Sequence, residues 1–360
     1  MANINICFII GCKAMSILSI GSEFFGLDIG TSAIRVVQMR GGKKNKSLVK
    51  YGSIDIDSKI SVSDAAVDRQ KLAEAIKQVI NQSNISTSSV AVGLPSAKVF
   101  STVVDVDKLS PAELEKTIRF QADSLIPTPL TESKMDWALL GDSPKVANKV
   151  ELLLSSVSNN FVEGRLDMLE SIGLDVVAFE PDSLAITRSL LPYDVFESTM
   201  LLDMGDLATD LVIAVNDMPR LIRSISFGTE EVVKSAVHSL GVDEAQARQF
   251  VFKFGLSKDK LEGQVYNAIH PTIDVLLVEI EKSIKFYATR YPNNALSKIV
   301  VTGGASTLPE FPLMLANKFG VGVEIGSAWR NVSFPQDRQN ELLSVSNKFA
   351  VAAGLAERVE

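Results

Sequence analysis

Cysteine and histidine are both scarce in this 360-residue chain. The two cysteines, Cys7 and Cys12, lie in the first dozen residues, and the two histidines are His238 and His270. A disulfide scaffold and a cysteine-based metal site are therefore excluded for the rest of the chain. A zinc hydrolase is not indicated either, because neither histidine has a metal-ligand partner at a suitable spacing. No apolar run approaches the roughly 18 residues that a membrane-spanning helix needs.

The chain is otherwise apolar and mildly acidic. Hydrophobic residues make up 46% of it and charged residues 22%, and 36 Lys and Arg against 43 Asp and Glu give a net charge of −7. This composition is typical of a globular protein and argues against fibrous or disordered classes. The length predicts about two domains. Since the charge balance does not imply a surface for polyanions, we expect no nucleic-acid partner.

The N-terminal residues differ from the rest. Residues 4–10 are apolar, but Lys13 interrupts the stretch, and no basic region precedes it as in a secretory signal. A second methionine, Met15, opens a sequence that continues directly into the first convincing strand. We expect residues 1–22 to be a disordered leader, with 1–14 as an upstream start. A weakly membrane-associating segment is the alternative.

Apolar spacing along the chain predicts three blocks of strands and helices. The first block, up to residue 96, opens with a β-hairpin and continues with a strand over 47–56, a helix over 68–82 and a strand over 90–93. The second block, roughly 97–180, has the set of strands and helices that is typical of a small α+β module. Its first helix starts at Ser110-Pro111-Ala112-Glu113, which has the pattern of a capping box.

The third block starts after Pro192. Its predicted strands cover 199–205, 208–215, 221–226 and 298–304, and its predicted helices cover 229–240, 243–255, 271–290, 309–319 and 345–356. The third block thus opens, like the first, with a hairpin and a further strand.

The strongest signal is an internal repeat. An Asp-x-Gly tripeptide follows an apolar strand at Asp28–Gly30 and again at Asp203–Gly205, and a returning strand follows each. Glycine allows backbone N–H groups to approach phosphate oxygens in a hairpin turn. An aspartate at the end of each strand can hold a hydrated Mg²⁺. One such tripeptide is an ordinary turn, but two in matching contexts predict duplicated halves that bind a nucleotide.

Further polar residues extend this pattern. The hydroxyls of Thr31, Ser32 and Thr209 can donate to phosphate, and Thr302-Gly303-Gly304-Ala305 follows a buried-type strand. On a predicted helix, three polar residues at i, i+3 and i+4 share one face, which is either a nucleotide contact or an ordinary solvated surface; they are Glu279, Lys282 and Ser283.

These motifs resemble the actin-like ATPase superfamily and, more closely, the PilM family of type IV pilus assembly proteins. The resemblance covers about 24–356. Asp28–Ser32 with Arg35 resembles the first phosphate loop, Asp203–Gly205 with Thr209 the second, and 299–306 the adenosine motif. The segment 109–129 resembles the module that distinguishes this family from actin, and 180–188 and 279–287 resemble its connecting helices.

The resemblance implies an α/β actin-like ATPase (ribonuclease H-like) fold, with two lobes around a nucleotide cleft and a small inserted α+β subdomain. Its implied boundaries are 23–96 plus 330–360 for the first lobe, 97–180 for the inserted subdomain and 181–329 for the second lobe. ATP and Mg²⁺ are the implied ligands. The implied metal residues are Asp28 and Asp203, and the implied nucleotide residues are Gly30, Thr31, Ser32, Gly205, Asp206, Thr209, Glu279, Lys282, Ser283, Gly303, Gly304 and Ala305.

The resemblance also implies partners and a location. The expected partner is the N-terminal tail of a PilN-like inner-membrane protein, held as an extended peptide in a groove between the first lobe and the inserted subdomain. Pilus motor ATPases and a second copy of the chain are further candidates. The protein would then be cytoplasmic and peripheral on the inner face of the membrane, with only indirect membrane association.

Two features depart from the family pattern. Asp206 places an extra negative charge in the second loop, where it would weaken nucleotide binding or add to a metal shell. The second departure is that no glutamine or glutamate is clearly positioned to orient an attacking water. Glu180 is the nearest candidate and has an equally good structural interpretation. The sequence therefore supports ATP binding better than hydrolysis. The alternatives are an FtsA-like cell-division protein and a sugar or acid kinase of the same superfamily.

Overall fold

The computed structural model describes Cys7 and residues 23–42, 45–63, 65–193 and 197–359. The chain divides into two compact units. The first unit comprises Met1–Ser189, Asn331–Gln336 and Val351–Glu360, and the second comprises Leu190–Arg330 and Asp337–Ala350. Apart from Cys7, the predicted leader lies outside the described residues. Among those residues, no helix has both the length and the apolarity needed to cross a membrane.

Strands and helices alternate in the first unit much as the apolar spacing predicts. Its elements in chain order are β1 (Phe25–Ile29), β2 (Ala33–Arg40), β3 (Lys46–Asp55), α1 (Ser58–Ser61), α2 (Ala66–Gln82), β4 (Ser89–Leu94), β5 (Val99–Asp107), α3 (Pro111–Leu125), β6 (Ser133–Asp142), β7 (Lys149–Ser158), α4 (Asn159–Ser171), β8 (Asp175–Pro181) and α5 (Asp182–Leu190). The next elements in chain order belong to the second unit. They are β9 (Ser198–Met204), β10 (Thr209–Val215), β11 (Met218–Ile225), α6 (Thr229–Leu240), α7 (Glu244–Phe254), α8 (Gln264–Arg290), β12 (Lys298–Thr302), α9 (Phe311–Phe319) and β13 (Gly322–Ile325). The last elements are β14 (Val332–Ser333), α10 (Gln339–Val345) and α11 (Ala350–Ala356).

A six-stranded sheet forms the frame of the first unit, in the order β14-β3-β2-β1-β4-β8. All five residues of β1 are buried, as is usual for a central strand covered on both faces. The C-terminal helix α11 packs directly against it. A Cβ added at Gly26 would lie 2.3 Å from the carbonyl oxygen of Ala352, so only glycine permits this approach.

The inserted module has its own antiparallel sheet, in the order β5-β7-β6. Helix α3 begins at the predicted capping box, in which the Ser110 backbone N–H donates to the Glu113 carboxylate over 3.1 Å. Its buried Leu114 and Ile118 pack on β5 and β7. Strand β8, which the sequence boundary of 97–180 assigns to the module, pairs instead in parallel with β4 of the six-stranded sheet.

The second unit is built on a five-stranded sheet, in the order β11-β10-β9-β12-β13. Helix α8 is longer than predicted, because it begins at Gln264 and carries Pro271 within it. The first two turns are held by buried Val265 and Ile269, whose packing outweighs the helix-start signal of the proline. His270 therefore lies inside a helix, where its Nδ1 is 3.2 Å from the Asp274 carboxylate.

Candidate functional site

The first Asp-x-Gly motif forms the turn between β1 and β2. The last paired residues are Ile29 and Ile34, which leaves a four-residue loop. The Gly30 N–H donates to the Ala33 carbonyl over 3.0 Å and closes that loop. A Cβ at Gly30 would lie 2.9 Å from this carbonyl oxygen, so the turn requires glycine.

Residues outside the loop hold it through its backbone carbonyls. The side-chain hydroxyls of Thr31 and Ser32 take no part in these hydrogen bonds. The Ser61 hydroxyl donates to the Thr31 carbonyl over 2.7 Å, and the Ile56 N–H donates to the Ser32 carbonyl over 2.9 Å. Thr31 and Ser32 are both half-exposed. Their side chains are therefore placed on a fixed turn that meets solvent.

Asp28 lies at the buried root of the same hairpin. It faces Arg35 across the two strands, and the Arg35 guanidinium is 3.2 Å from its carboxylate. Burial raises the pKa of Asp28, and the charge and hydrogen bond of Arg35 lower it. Burial has the larger effect on this pKa, so Arg35 offsets only part of the cost of burying the ionised carboxylate. A further cation beside it would stabilise the ionised form.

The second motif reproduces this geometry in the second unit. The last paired residues of β9 and β10 are Met204 and Thr209, which again leaves a four-residue loop. The Gly205 N–H donates to the Ala208 carbonyl over 2.9 Å, as Gly30 does to Ala33. The sequence repeat is therefore also a repeat of backbone hydrogen bonding.

Two predicted residues of the second loop are engaged in holding its shape. The Asp206 carboxylate accepts a hydrogen bond from the Thr229 hydroxyl at the start of α6 and lies 3.7 Å from the Arg248 guanidinium. The fully buried Thr209 hydroxyl donates to the Phe227 carbonyl over 2.7 Å. The Asp206 carboxylate therefore has a hydroxyl donor and a cationic neighbour, so its charge is not added to the loop unbalanced.

Helix α6 supports the second loop through its N-terminal backbone. The Thr229 N–H donates to the Gly205 carbonyl, and the Glu230 N–H to the Asp206 carbonyl, both over 3.0 Å. Gly228, which sequence analysis does not single out, allows this contact. A Cβ there would lie 2.2 Å from the Asp206 carbonyl oxygen.

The Thr302–Ala305 segment follows β12 and meets the second hairpin. Gly303 has φ +84°, and a Cβ there would lie 2.5 Å from a carboxylate oxygen of Asp203. Asn347, another residue that sequence analysis does not single out, fixes the segment. Its side-chain amide donates to the Gly303 carbonyl over 3.1 Å, and its own carbonyl accepts from the Gly303 N–H over 2.8 Å.

The predicted polar face of α8 is present and is tied to β11. Arg223 donates to the Ser283 hydroxyl over 2.9 Å and approaches the Glu279 carboxylate to 3.5 Å. A hydrogen bond from Lys282 lowers the pKa of Glu279, with a further contribution from Arg223. Ser283 is fully buried. Glu279 and Lys282 remain the members of this face that a ligand can reach.

Glu180 is fully buried and held by two arginines. The two terminal guanidinium nitrogens of Arg188 contact its carboxylate, and Arg358 donates to it over 3.1 Å. A carboxylate paired in this way is a structural ion cluster. The geometry therefore supports a structural role for Glu180.

The structure thus brings the predicted residues together in two sets. In the second unit, Gly303 lies against the hairpin that contains Asp203 and Gly205. In the first unit, one hairpin contains Asp28, Gly30, Thr31 and Ser32. Within the described ranges, no cluster of three or more His, Cys, Asp or Glu side chains could hold a metal alone.

A family model described as type IV pilus assembly protein PilM matches residues 26–360. The chain belongs to the PilM family. Among solved structures, it is similar to a PilM–PilN type IV pilus biogenesis complex, with 23% identity, a TM-score of 0.78, and coverage of 93% of this chain and 98% of that one.

Two more distant structures show the same actin-like ATPase fold. The ethanolamine utilization protein EutJ of Carboxydothermus hydrogenoformans matches with 13% identity and a TM-score of 0.56, over 94% of this chain and 90% of that one. MreB 5 of Spiroplasma citri bound to AMPPNP matches with 12% identity and a TM-score of 0.51, over 92% and 94% respectively. The predicted fold class is confirmed, and family membership places the protein in type IV pilus assembly.

Proposed function

We propose that this PilM-family protein is an ATP-binding scaffold of type IV pilus assembly that holds the N-terminal tail of a PilN-like inner-membrane protein. The observation that carries the nucleotide part is the pair of matching hairpins. Each has a glycine-closed loop of four residues and an aspartate two positions before the glycine. In each, backbone N–H groups and a carboxylate are available to a phosphate and its metal.

The residues present fit ATP with Mg²⁺. Glycine stands at the positions where a Cβ would crowd the turn or the neighbouring strand, namely Gly30 and Gly303. Asp28 and Asp203 supply one carboxylate per hairpin. The bound metal supplies charge neutralisation at the phosphates, and the chain's own groups bind and orient the nucleotide. A similar fold, MreB 5 of Spiroplasma citri, has been solved with AMPPNP and with ADP.

Binding is better supported than hydrolysis. Glu180, the candidate to orient an attacking water, is committed to Arg188 and Arg358. Asp206 is committed to the start of α6. Phosphoryl transfer needs a group that positions the nucleophile, and neither carboxylate is placed for that role. We therefore infer a nucleotide switch with weak or absent turnover.

The partner part is supported by two open sheet edges. Strand β6 is the outer strand of the three-stranded sheet, and β8 is the outer strand of the six-stranded sheet, among the described residues. An outer strand offers unpaired backbone groups, to which an extended peptide can add. The similar solved structure is a PilM–PilN complex. An inner-membrane partner would hold this protein at the inner face of the membrane.

The test is a titration of the purified chain with a labelled N-terminal peptide of the PilN encoded in the same genome. We expect saturable binding whose affinity differs between protein alone and protein with ATP and Mg²⁺, because a nucleotide shifts partner affinity only if it favours one conformation. A scrambled peptide of the same composition is the control. Absence of binding in both conditions would overturn the partner assignment.

A further inference from the structure

A groove with a volume of about 460 Å³ lies between helices α2 and α4 of the first unit. Its lining includes the buried side chains of Ala73 and Met168 and the half-buried side chain of Ile172. An apolar cavity of about 150 Å³ is enough to bind benzene. The groove can therefore receive an aromatic side chain together with the residues that flank it.

Gly164 widens this groove at a position where glycine is unfavourable. It lies within α4, and glycine inside a helix costs more conformational entropy than alanine. Among the described atoms, a Cβ added there would meet only the Nη1 of Arg69 within 4 Å, at an ordinary contact distance of 3.6 Å. Packing inside the chain therefore does not require glycine here, whereas an occupant of the groove gains space from it.

The two walls of the groove carry charges that the chain itself leaves unpaired. Arg69 and Lys77 lie on the α2 wall, and Asp167 lies on the α4 wall. All three are exposed, and none of them forms a salt bridge with another described residue. An occupant with a carboxylate towards α2 and a cation towards α4 is therefore complementary to both walls.

Helix α3 of the inserted module exposes a surface with this chemistry. Phe120 is 90% exposed, so it does not fill the groove of its own chain. Lys116 lies one turn before it and Asp123 one turn after it, on the same face of the helix. Lys116 forms no salt bridge with a described residue. One oxygen of Asp123 accepts a hydrogen bond from the Leu130 N–H over 3.3 Å, which leaves the second oxygen for another partner.

We propose that Phe120 of one copy of the chain inserts into the α2–α4 groove of a second copy. Lys116 then faces Asp167, and Asp123 faces the two cations of α2. Because the two surfaces are different, the interface is heterologous, and assembly continues past two copies unless the rotation closes a ring. An aromatic side chain that is desolvated in a pocket is the usual energetic centre of an interface. The proposal goes beyond the proposed function and holds whether or not the chain binds a nucleotide.

The first experiment is sedimentation velocity of the full chain over a range of concentrations. We expect the mean sedimentation coefficient to rise past the value of a dimer. Phe120→Ala should weaken the association by about thirtyfold or more, as truncation of an anchoring aromatic residue does. Phe286→Ala, at an aromatic residue of α8 that is 63% exposed, is the matched control. A parent chain that stays monomeric up to its solubility limit, or a Phe120→Ala variant that assembles like the parent, would overturn the proposal.

The second experiment separates the two surfaces. Gly164→Leu fills the groove and leaves Phe120 in place, so this variant alone should also stay monomeric. A mixture of Gly164→Leu with Phe120→Ala has one intact surface of each kind, and we expect 1:1 heterodimers and no larger species. A mixture without heterodimers would show that these two surfaces do not pair. Circular dichroism and thermal unfolding of each variant check that it is folded.

The third experiment tests the charges and does not depend on the folding of Gly164→Leu. Asp167→Lys should weaken the association by about tenfold or more, because it places a cation opposite Lys116. Adding Lys116→Asp to the same chain should restore it, since each contact again joins opposite charges. Glu170→Lys, at an exposed position on α4 outside the groove lining, is the control. If the double variant associates as weakly as Asp167→Lys alone, the proposed pairing is wrong.

Discussion

Asp28 and Asp203 occupy equivalent positions in the two hairpins but face different partners. Asp28 lies opposite Arg35, whereas Asp203 lies opposite a second carboxylate, that of Asp210. The two hairpins therefore offer a bound cation different surroundings, namely an aspartate with an arginine opposite it in the first and an aspartate with a second aspartate opposite it in the second.

The first prediction concerns the carboxylate of Asp28. Asp28→Asn keeps the shape and the acceptor facing Arg35 but removes the charge, and we expect it to weaken ATP–Mg²⁺ binding by about tenfold or more, equivalent to about 1.4 kcal/mol. Isothermal titration measures this. Asp142→Asn, at an exposed ion pair with Lys108, is the matched control. Unchanged ATP affinity in Asp28→Asn would sink the site assignment.

The second prediction concerns neighbouring glycines after β12. Gly303 has φ +84° and no room for a Cβ, whereas Gly304 has nothing within 4 Å of that position. We expect Gly303→Ala to lower the free energy of unfolding by about 1–3 kcal/mol. Gly304→Ala should change it by less than about 0.5 kcal/mol. Thermal unfolding of both variants measures the difference, and equal melting temperatures would contradict this account of the turn.

Sequence reasoning finds site residues that form a local pattern. Asp28 and Gly30 are recognisable because strand, turn and return lie within a few positions, and the pattern recurs at Asp203. Asn347 and Arg223 are not recognisable in this way. Asn347 fixes Gly303 from 44 residues away, and Arg223 meets Ser283 across 60 residues. The fold brings the two residues of each pair together from distant parts of the chain, so no local spacing in the sequence predicts these contacts.

At the scale of whole elements, local periodicity predicts most of the described strands and helices. It does not find β5, which is half-buried over most of its length and so lacks a clear alternation. It also starts α8 at Pro271, although burial of the preceding turns extends that helix back to Gln264. Both differences come from tertiary packing, which overrides local preference.

Helix α11 gives the third prediction. A Cβ added at Gly354 would lie 1.9 Å from the Ala185 carbonyl oxygen of α5. Alanine normally stabilises a helix relative to glycine, but here the clash should dominate. We expect Gly354→Ala to lower the free energy of unfolding by about 1–3 kcal/mol through overpacking. Chemical denaturation measures it.

The matched control is Gly322→Ala, at a position with open space and no positive φ. Its free energy of unfolding should remain within about 0.5 kcal/mol of the parent value. A stabilised Gly354→Ala variant would show that helix propensity outweighs packing here, and that α11 does not lie as close to α5 as described.

At the scale of the whole molecule, the proposed function gives a role in nucleotide binding to each of the two hairpins, the one with Asp28 and the one with Asp203. A nucleotide present at about 100 times its Kd stabilises the folded state by about 2.7 kcal/mol. We predict that ATP with Mg²⁺ raises the melting temperature by several degrees in the parent protein. Asp28→Asn and Asp203→Asn should each reduce this shift, although they lie in different units, and EDTA should reduce it in the parent.

The melting temperature of each variant without ligand is the control, since it separates lost binding from lost folding. A full ATP-dependent shift in either variant would show that its hairpin does not contact the nucleotide. The two-hairpin proposal would then be wrong, whereas the PilM-family fold would stand.

The path of the chain between the units has a consequence for synthesis on the ribosome. The first unit contains 1–189 but also Asn331–Gln336 and Val351–Glu360. Strand β14 and helix α11, which pack against β3 and β1, are therefore synthesised after the whole five-stranded sheet of the second unit. The surface over Gly26 stays uncovered until α11 has left the ribosome, although N-terminal parts of a chain usually fold first. Emergence of α11, rather than of the first hairpin, then sets the time at which this unit can complete its fold.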